Sequence, residues 1–127
     1  MTDSPLPPDQ LVAWRGATTV NENTALAIHQ AVSELLDALV TRNQLQPRHL
    51  ISVVFTVTAD LDALFPASVA RRRPGWEGIA LLDTQQMYVQ GNLGRCIRLL
   101  AHGWLPEGQI PEHPYLHGAV SLRPDRQ

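Results

Sequence analysis

With a single cysteine, Cys96, in 127 residues, the chain cannot form an internal disulfide, and a reducing cytoplasm is the default setting. It carries little excess charge of either sign. A formal net charge of −2 leaves no global field to draw it to nucleic acid or to an anionic membrane. No apolar run is long enough to span a bilayer, which argues against a membrane protein. The opening Met1-Thr2-Asp3-Ser4-Pro5-Leu6-Pro7-Pro8 has neither a basic region nor an apolar core, so it does not read as a signal peptide. Internal repeats and low-complexity tracts are also lacking. What is present is the balance of a soluble globular domain, 44% hydrophobic and 17% charged, at a length suited to one domain. So small a domain buries only part of its apolar surface, which makes oligomerisation a natural source of further burial.

Residues 1–10 hold three of the ten prolines and read as a tail that need not pack. Residues 11–20, LVAWRGATTV, are rich in β-branched and aromatic side chains and predict a strand that bends near Gly16. Asn21 to Asn23 offer helix caps. Ile28, Val32, Leu35, Leu36, Leu39 and Val40 then recur at steps of three and four, the mark of an amphipathic helix. Residues 44–49, containing Pro47, predict a turn, and residues 51–58, ISVVFTVT, a second strand. Pro66 suits the start of a short helix that Pro74 must stop. Residues 78–83 predict a third strand. Leu93, Cys96, Ile97 and Leu100 suggest a second long helix, closed by Gly103, Pro106 and Gly108. Tyr115 to Leu122 predicts a last strand, with a tail from residue 124 and one domain over 11–123. Strands alternating with two main helices mean α/β or α+β.

Three segments carry more than packing: Trp14-Arg15-Gly16-Ala17-Thr18-Thr19, then Asp60-Leu61-Asp62-Ala63-Leu64-Phe65-Pro66-Ala67, then Gly94-Arg95-Cys96-Ile97-Arg98. In order and spacing they resemble the signature segments of the monofunctional trimeric chorismate mutases, and Tyr115 with Leu122-Arg123-Pro124-Asp125 matches the end of that family's pattern. The resemblance runs from Leu11 to Asp125. It implies an α+β fold, a mixed sheet with two main helices, closing into a pseudo-α/β-barrel in a homotrimer with active sites at the subunit contacts. It also implies that Arg15, Arg71, Arg98, Tyr115 and Arg123 line the site, that Phe65, Ala67 and Leu122 form its apolar wall, and that Leu82 lies beside them.

The implied reaction is a Claisen rearrangement of chorismate to prephenate within one molecule, which requires no metal or organic cofactor. A protein helps by holding the compact conformer and by stabilising charge on the breaking ether oxygen. Chorismate carries two carboxylates, so a cationic site is needed, and the arginine fork meets a carboxylate bidentately. Arg98 is assigned the ether oxygen, Arg15 and Tyr115 the carboxylates, and Arg71 and Arg123 the outer contacts. The chain departs from the family in two places. Gln86 stands where a glutamate usually accepts a hydrogen bond from the substrate hydroxyl, and Asp83 stands where cysteine is common. The acidic acceptor is therefore expected to have moved from 86 to 83, which requires the strand to end between them. Ser68 replaces a common lysine.

Taken one at a time, these residues also have plainer readings. Arg71-Arg72-Arg73 lacks the aromatic platform of a nucleic-acid site. Arg98 with Arg95 and His102 reads as an exposed helix stripe, Cys96 as inert core and His29 as a surface or satisfied core residue. Trp14, Trp76 and Trp104 read as packing residues. His113 and His117 are four apart, but Pro114 spoils the helix that would align them on a metal. Two other functions fit a small trimer of this kind: a deaminase of reactive imines, whose motifs are not visible here, and a non-catalytic trimer binding a shikimate-pathway metabolite.

Overall fold

The computed structural model describes residues 9–123; residues 1–8 and 124–127, and with them most of the two expected tails, lie outside it. The elements in order are β1 (Asp9–Thr19), α1 (Ala25–Asn43), a 3₁₀ turn (Pro47–His49), β2 (Leu50–Val57), α2 (Pro66–Arg71), β3 (Ala80–Gln85), β4 (Cys96–Pro106) and a 3₁₀ helix (His117–Leu122). The four strands form one sheet in the order β1-β4-β2-β3. β4 runs antiparallel to both its neighbours, whereas β2 and β3 are parallel. A parallel pair needs a crossover, and the segment bearing α2 supplies it.

Helix α1 forms where its apolar spacing requires. Ile28, Val32, Leu35, Leu36 and Leu39 are all buried and share one core with Trp14, Val53, Phe55, Ile97, Leu99 and Leu105 from the sheet. Burial of each such side chain contributes about 1.5–3 kcal/mol, so this face holds the domain together. The cap is Thr24 rather than an asparagine: its hydroxyl accepts the Ala27 N–H at 3.1 Å. Asn23 instead ties down the 61–63 turn, accepting from the N–H groups of Asp62 and Ala63.

Two expected elements are corrected. The second main helix does not exist; Cys96 to Pro106 is the strand β4, at the centre of the sheet. Arg98 and His102 therefore share one side of a strand, with Arg95 in the turn before it, and are not a helical stripe. The expected closing strand reduces to one bridge, Ala17 to Tyr115, followed by a 3₁₀ helix. His117 has a φ of +51°, which turns the chain out of extended conformation at that point.

Alternation along the strands gives the sheet two unlike faces. One packs on α1. The other carries Leu11, Ala13 and Arg15 from β1, Arg98, Leu100, His102 and Trp104 from β4, Val54 and Thr56 from β2, and Leu82 and Thr84 from β3. Leu11, Leu82, Leu100 and Trp104 are 62%, 56%, 40% and 39% exposed in the single chain. Of the three tryptophans read as packing residues, Trp14 and Trp76 are buried in the core, whereas Trp104 belongs to this open apolar face.

Candidate active site

At one end of the open face a row crosses the whole sheet. Arg98 on β4 faces Ala17 on β1 and Thr56 on β2, and Thr56 faces Thr84 on β3. Beyond Ala17 the chain returns along the free edge of β1. The Ala17 N–H donates to Pro114 O at 2.9 Å, and the Leu116 N–H donates to Ala17 O at 2.9 Å, which sets Tyr115 beside Ala17. Arg98 and Tyr115 thus flank an alanine too small to separate them, with their backbones about two strand spacings, ~10 Å, apart. Arg15 lies two residues from Ala17 on the same face, and its backbone N–H donates to His113 Nδ1 at 3.0 Å. The Arg123 guanidinium lies 5.8 Å from the centre of the Tyr115 ring.

This return segment is positioned from within the core. Asn43, buried at the end of α1, donates from Nδ2 to Glu112 O at 2.9 Å and accepts the Glu112 N–H on Oδ1 at 2.8 Å. The 3₁₀ helix that follows brings Ala119 and Leu122 over Ala17 and Cys96. Burial pushes the Cys96 thiol up from its ordinary value, although the neighbouring Arg98 charge pulls it down.

Among the described residues, three polar atoms on this face are buried without a hydrogen-bond partner: Arg98 Nε, Thr56 Oγ1 and Gln86 Oε1. Gln86 follows β3 directly, and its N–H donates to Val57 O at 2.8 Å. Leaving such groups unpaired costs roughly 1–3 kcal/mol each. They lie on β4, on β2 and just past the end of β3, an arrangement that a polar ligand could satisfy.

A second group of the expected residues sits elsewhere. Phe65, Ala67 and Arg71 lie at or in α2, against the β3 edge, and Asp83 points to that side. Asp83 Oδ1 accepts the Ala67 N–H at 2.9 Å. Burial raises its carboxyl above the ordinary value, opposed by that hydrogen bond and by the Arg71 charge. β3 ends at Gln85, between Asp83 and Gln86, and alternation puts these two on opposite faces. Beside this group is a cavity of about 490 Å³ lined by Val57, Leu61, Leu64, Phe65 and Asp83. A smaller one of about 200 Å³ lies between Thr58, Asp60, Gln86, Tyr88, Leu93 and Gly94. Neither reaches Arg15, Arg98, Tyr115 or Arg123. One chain therefore brings together Arg15, Arg98, Gln86, Tyr115, Leu122 and Arg123 at one end of the open face. It carries Phe65, Ala67, Arg71, Leu82 and Asp83 at its edge.

Sequence reading missed Thr56 and Asp60. Thr56 could not be found because β4, its partner, was taken for a helix. Asp60 drew no role, since its partners are the Thr58 hydroxyl and the backbone N–H of the distant Arg95, a pairing no sequence pattern displays.

The family model for chorismate mutase type I matches residues 11–126. Among curated proteins, the chorismate mutase AroH of Bacillus subtilis is 37% identical over 113 residues, covering 87% of this chain and 88% of that protein. The chorismate mutase AroH of Thermus thermophilus is 45% identical over 115 residues, covering 87% and 92%. Among solved structures, a chorismate mutase from Clostridium thermocellum superposes with a TM-score of 0.80 at 41% identity, covering 87% of this chain and 98% of that one. The family match begins within β1 and takes in the rest of the sheet and both groups of expected site residues, and the chain belongs to the chorismate mutase type I family.

Proposed function

We propose that this chain, a chorismate mutase by family, performs its rearrangement in a site completed by a second copy of itself, within a homotrimer. The supporting observation is the division of the site. The cationic group with its unpaired Arg98 Nε lies on an uncovered apolar sheet face, and the Phe65–Asp83 group lies at the far edge of the same chain. A neighbour laying its β3–α2 edge against this face would bury Leu82 and Leu100 and close the two halves on one substrate. The imine-deaminase alternative has no place in this family.

In that closed site the C–O ether bond of chorismate breaks as a C–C bond forms, and no proton need move. Arg98 donates to the ether oxygen as negative charge grows there. Arg15 and Tyr115 hold the carboxylates and thereby select the compact conformer. Arg71 and Arg123 are outer contacts for the dianion, and Phe65, Ala67, Leu82 and Leu122 exclude water. Gln86 offers a neutral acceptor to the substrate hydroxyl, and Asp83, on the opposite face in its own chain, reaches the hydroxyl only from the neighbouring copy. The setting we infer for this reaction is the cytoplasm.

The test is loss of chorismate absorbance with purified protein, beside an Arg98→Ala variant. Turnover that falls on the order of 10²–10³ in the variant, with its fold retained, supports the assignment. A wild type no faster than the uncatalysed reaction, yet binding a bicyclic transition-state analogue, would leave the metabolite-binding reading instead.

A further inference from the structure

We propose that Asp60 is a positioning residue for Arg98, acting through a latch between the exit of β2 and the entry of β4. Asp60 borders the smaller cavity alongside Gln86, but its hydrogen bonds run to Thr58 and to the backbone at the entry of β4. Its carboxylate accepts the Thr58 hydroxyl at 2.5 Å and takes the Arg95 N–H on both oxygens, at 3.1 and 2.9 Å. Thr58 extends the latch: its Oγ1 accepts the Cys96 N–H at 3.0 Å, and its own N–H donates to Cys96 O at 3.1 Å. The Thr58 hydroxyl holds the Asp60 carboxyl below its ordinary value, with Arg95 acting in the same direction, so the acceptor is charged at neutral pH.

The latch fixes a strained point. Arg95 has a φ of +42°, a left-handed conformation that a side chain other than glycine adopts only when its surroundings hold it there. Asp60 does so from one side. From the other, Val20 at the exit of β1 donates its N–H to Arg95 O at 2.9 Å and accepts Arg95 Nε at 3.1 Å. Gly94 is packed so closely that a Cβ there would lie 3.0 Å from Asp60 Oδ2. β4 starts one residue after Arg95, and Arg98 is two residues into it. Release of the carboxylate frees Arg95 to leave the left-handed region and frays the Thr19–Cys96 and Thr18–Ile97 pairs. The guanidinium then loses its fixed place. A misplacement of ~1 Å is enough to cost about a hundredfold in rate.

The carboxylate is suited to this because the latch asks only for acceptors. An asparagine keeps one acceptor for the Arg95 N–H but turns an NH₂ toward Thr58, whose oxygen already accepts from Cys96. It should half-restore what alanine removes.

The experiment compares Asp60→Ala, Asp60→Asn and Thr58→Val with an Ile28→Val control that weakens the core away from the latch. Only the kinetic readout rests on the mutase assignment. We expect kcat to fall roughly ten- to a hundredfold in Asp60→Ala with KM within about twofold, and less in Asp60→Asn. Ile28→Val should lose stability and keep its kcat. The second readout is the Arg98 Nε–H resonance and the amide exchange of Arg95 and Cys96, which should change in Asp60→Ala while Val53 and Phe55 stay protected. An unmoved Arg98 resonance overturns the latch whether or not the protein turns over chorismate. So does a kcat loss that Ile28→Val reproduces at equal loss of stability. Absence of wild-type turnover with a shifted Arg98 resonance would sink the mutase reading and leave the latch standing.

Discussion

The Asp83 carboxylate accepts the backbone N–H of Ala67 at 2.9 Å across the gap between β3 and α2. That bond does not offset its burial, and the carboxyl sits above its ordinary value of 3.8. A raised acid favours its neutral form in the folded state. Its ionisation therefore leaves stability intact below the ordinary carboxylate value and erodes it as the pH rises through the folded value. At pH 7 the charged Asp83 is a net cost to folding. Asp83→Asn keeps an acceptor for Ala67 and removes the charge, so its melting temperature should exceed wild type at pH 7 and match it near pH 3. Its kcat/KM should fall about tenfold if the acid serves the substrate hydroxyl, whereas Gln86→Glu should gain little. A silent Asp83→Asn beside a tenfold gain in Gln86→Glu would show that the acidic role never moved.

Two glycines separate stability from activity. A Cβ on Gly103 would meet the His49 backbone oxygen at 2.1 Å and Trp14 at 3.1 Å, deep between β4 and the turn before β2. Backbone there cannot yield cheaply, and Gly103→Ala should destabilise by about 1–3 kcal/mol or more. A Cβ on Gly16 would meet Pro114 O at 2.8 Å, a smaller overlap, against backbone whose displacement would carry Tyr115 with it. Gly16→Ala should thus melt closer to wild type than Gly103→Ala and show the larger rise in KM. The reverse order in both measurements would mean that Tyr115 is not held through Pro114.

The open face predicts a dependence on assembly. Leu100 lies 40% exposed on β4, opposite Arg15 and beside Val54. Leu100→Glu puts a charge where a second copy would dock, and desolvating an unpaired charge costs several kcal/mol. Light scattering should report a trimer for wild type and a monomer for Leu100→Glu, with helical content retained and turnover lost. A monomeric wild type that turns over chorismate would remove the shared site.

The reading of β4 as a helix has a physical cause. Leu93, Cys96, Ile97 and Leu100 do fit a helical step, yet the strand buries Ile97, Leu99, Ala101, Gly103 and Leu105 on alternate positions toward α1. Leu100 and Trp104 blur that alternation because the opposite face is apolar as well, and a strand apolar on both faces loses its period of two. Gly103 looked like a helix stop and is instead the site of close approach to His49. α1 was legible because only one of its faces is apolar, and its spacing had no competitor. Of the site, the arginines were visible through the resemblance. The division into two groups was not, since it follows from strand order, which places β3 three positions from β1.

Cys96 gives a probe of that end of the face. The thiol is fully buried beneath Ala119, with Leu93 and Leu122 packed at the same cluster. Burial raises its pKa, so little thiolate is present even at pH 8, and the cover denies access to reagent. Labelling by a disulfide reagent should therefore be far slower than for a free thiol and should follow unfolding along a denaturant series. Leu122→Ala thins the cover without touching the α1 core, so it should speed labelling under native conditions more than it lowers stability. Fast labelling of the wild type at the rate of an exposed cysteine would mean that the 3₁₀ helix does not rest on Cys96. Arg123, which directly follows that helix, would then lack the support that holds it over Tyr115.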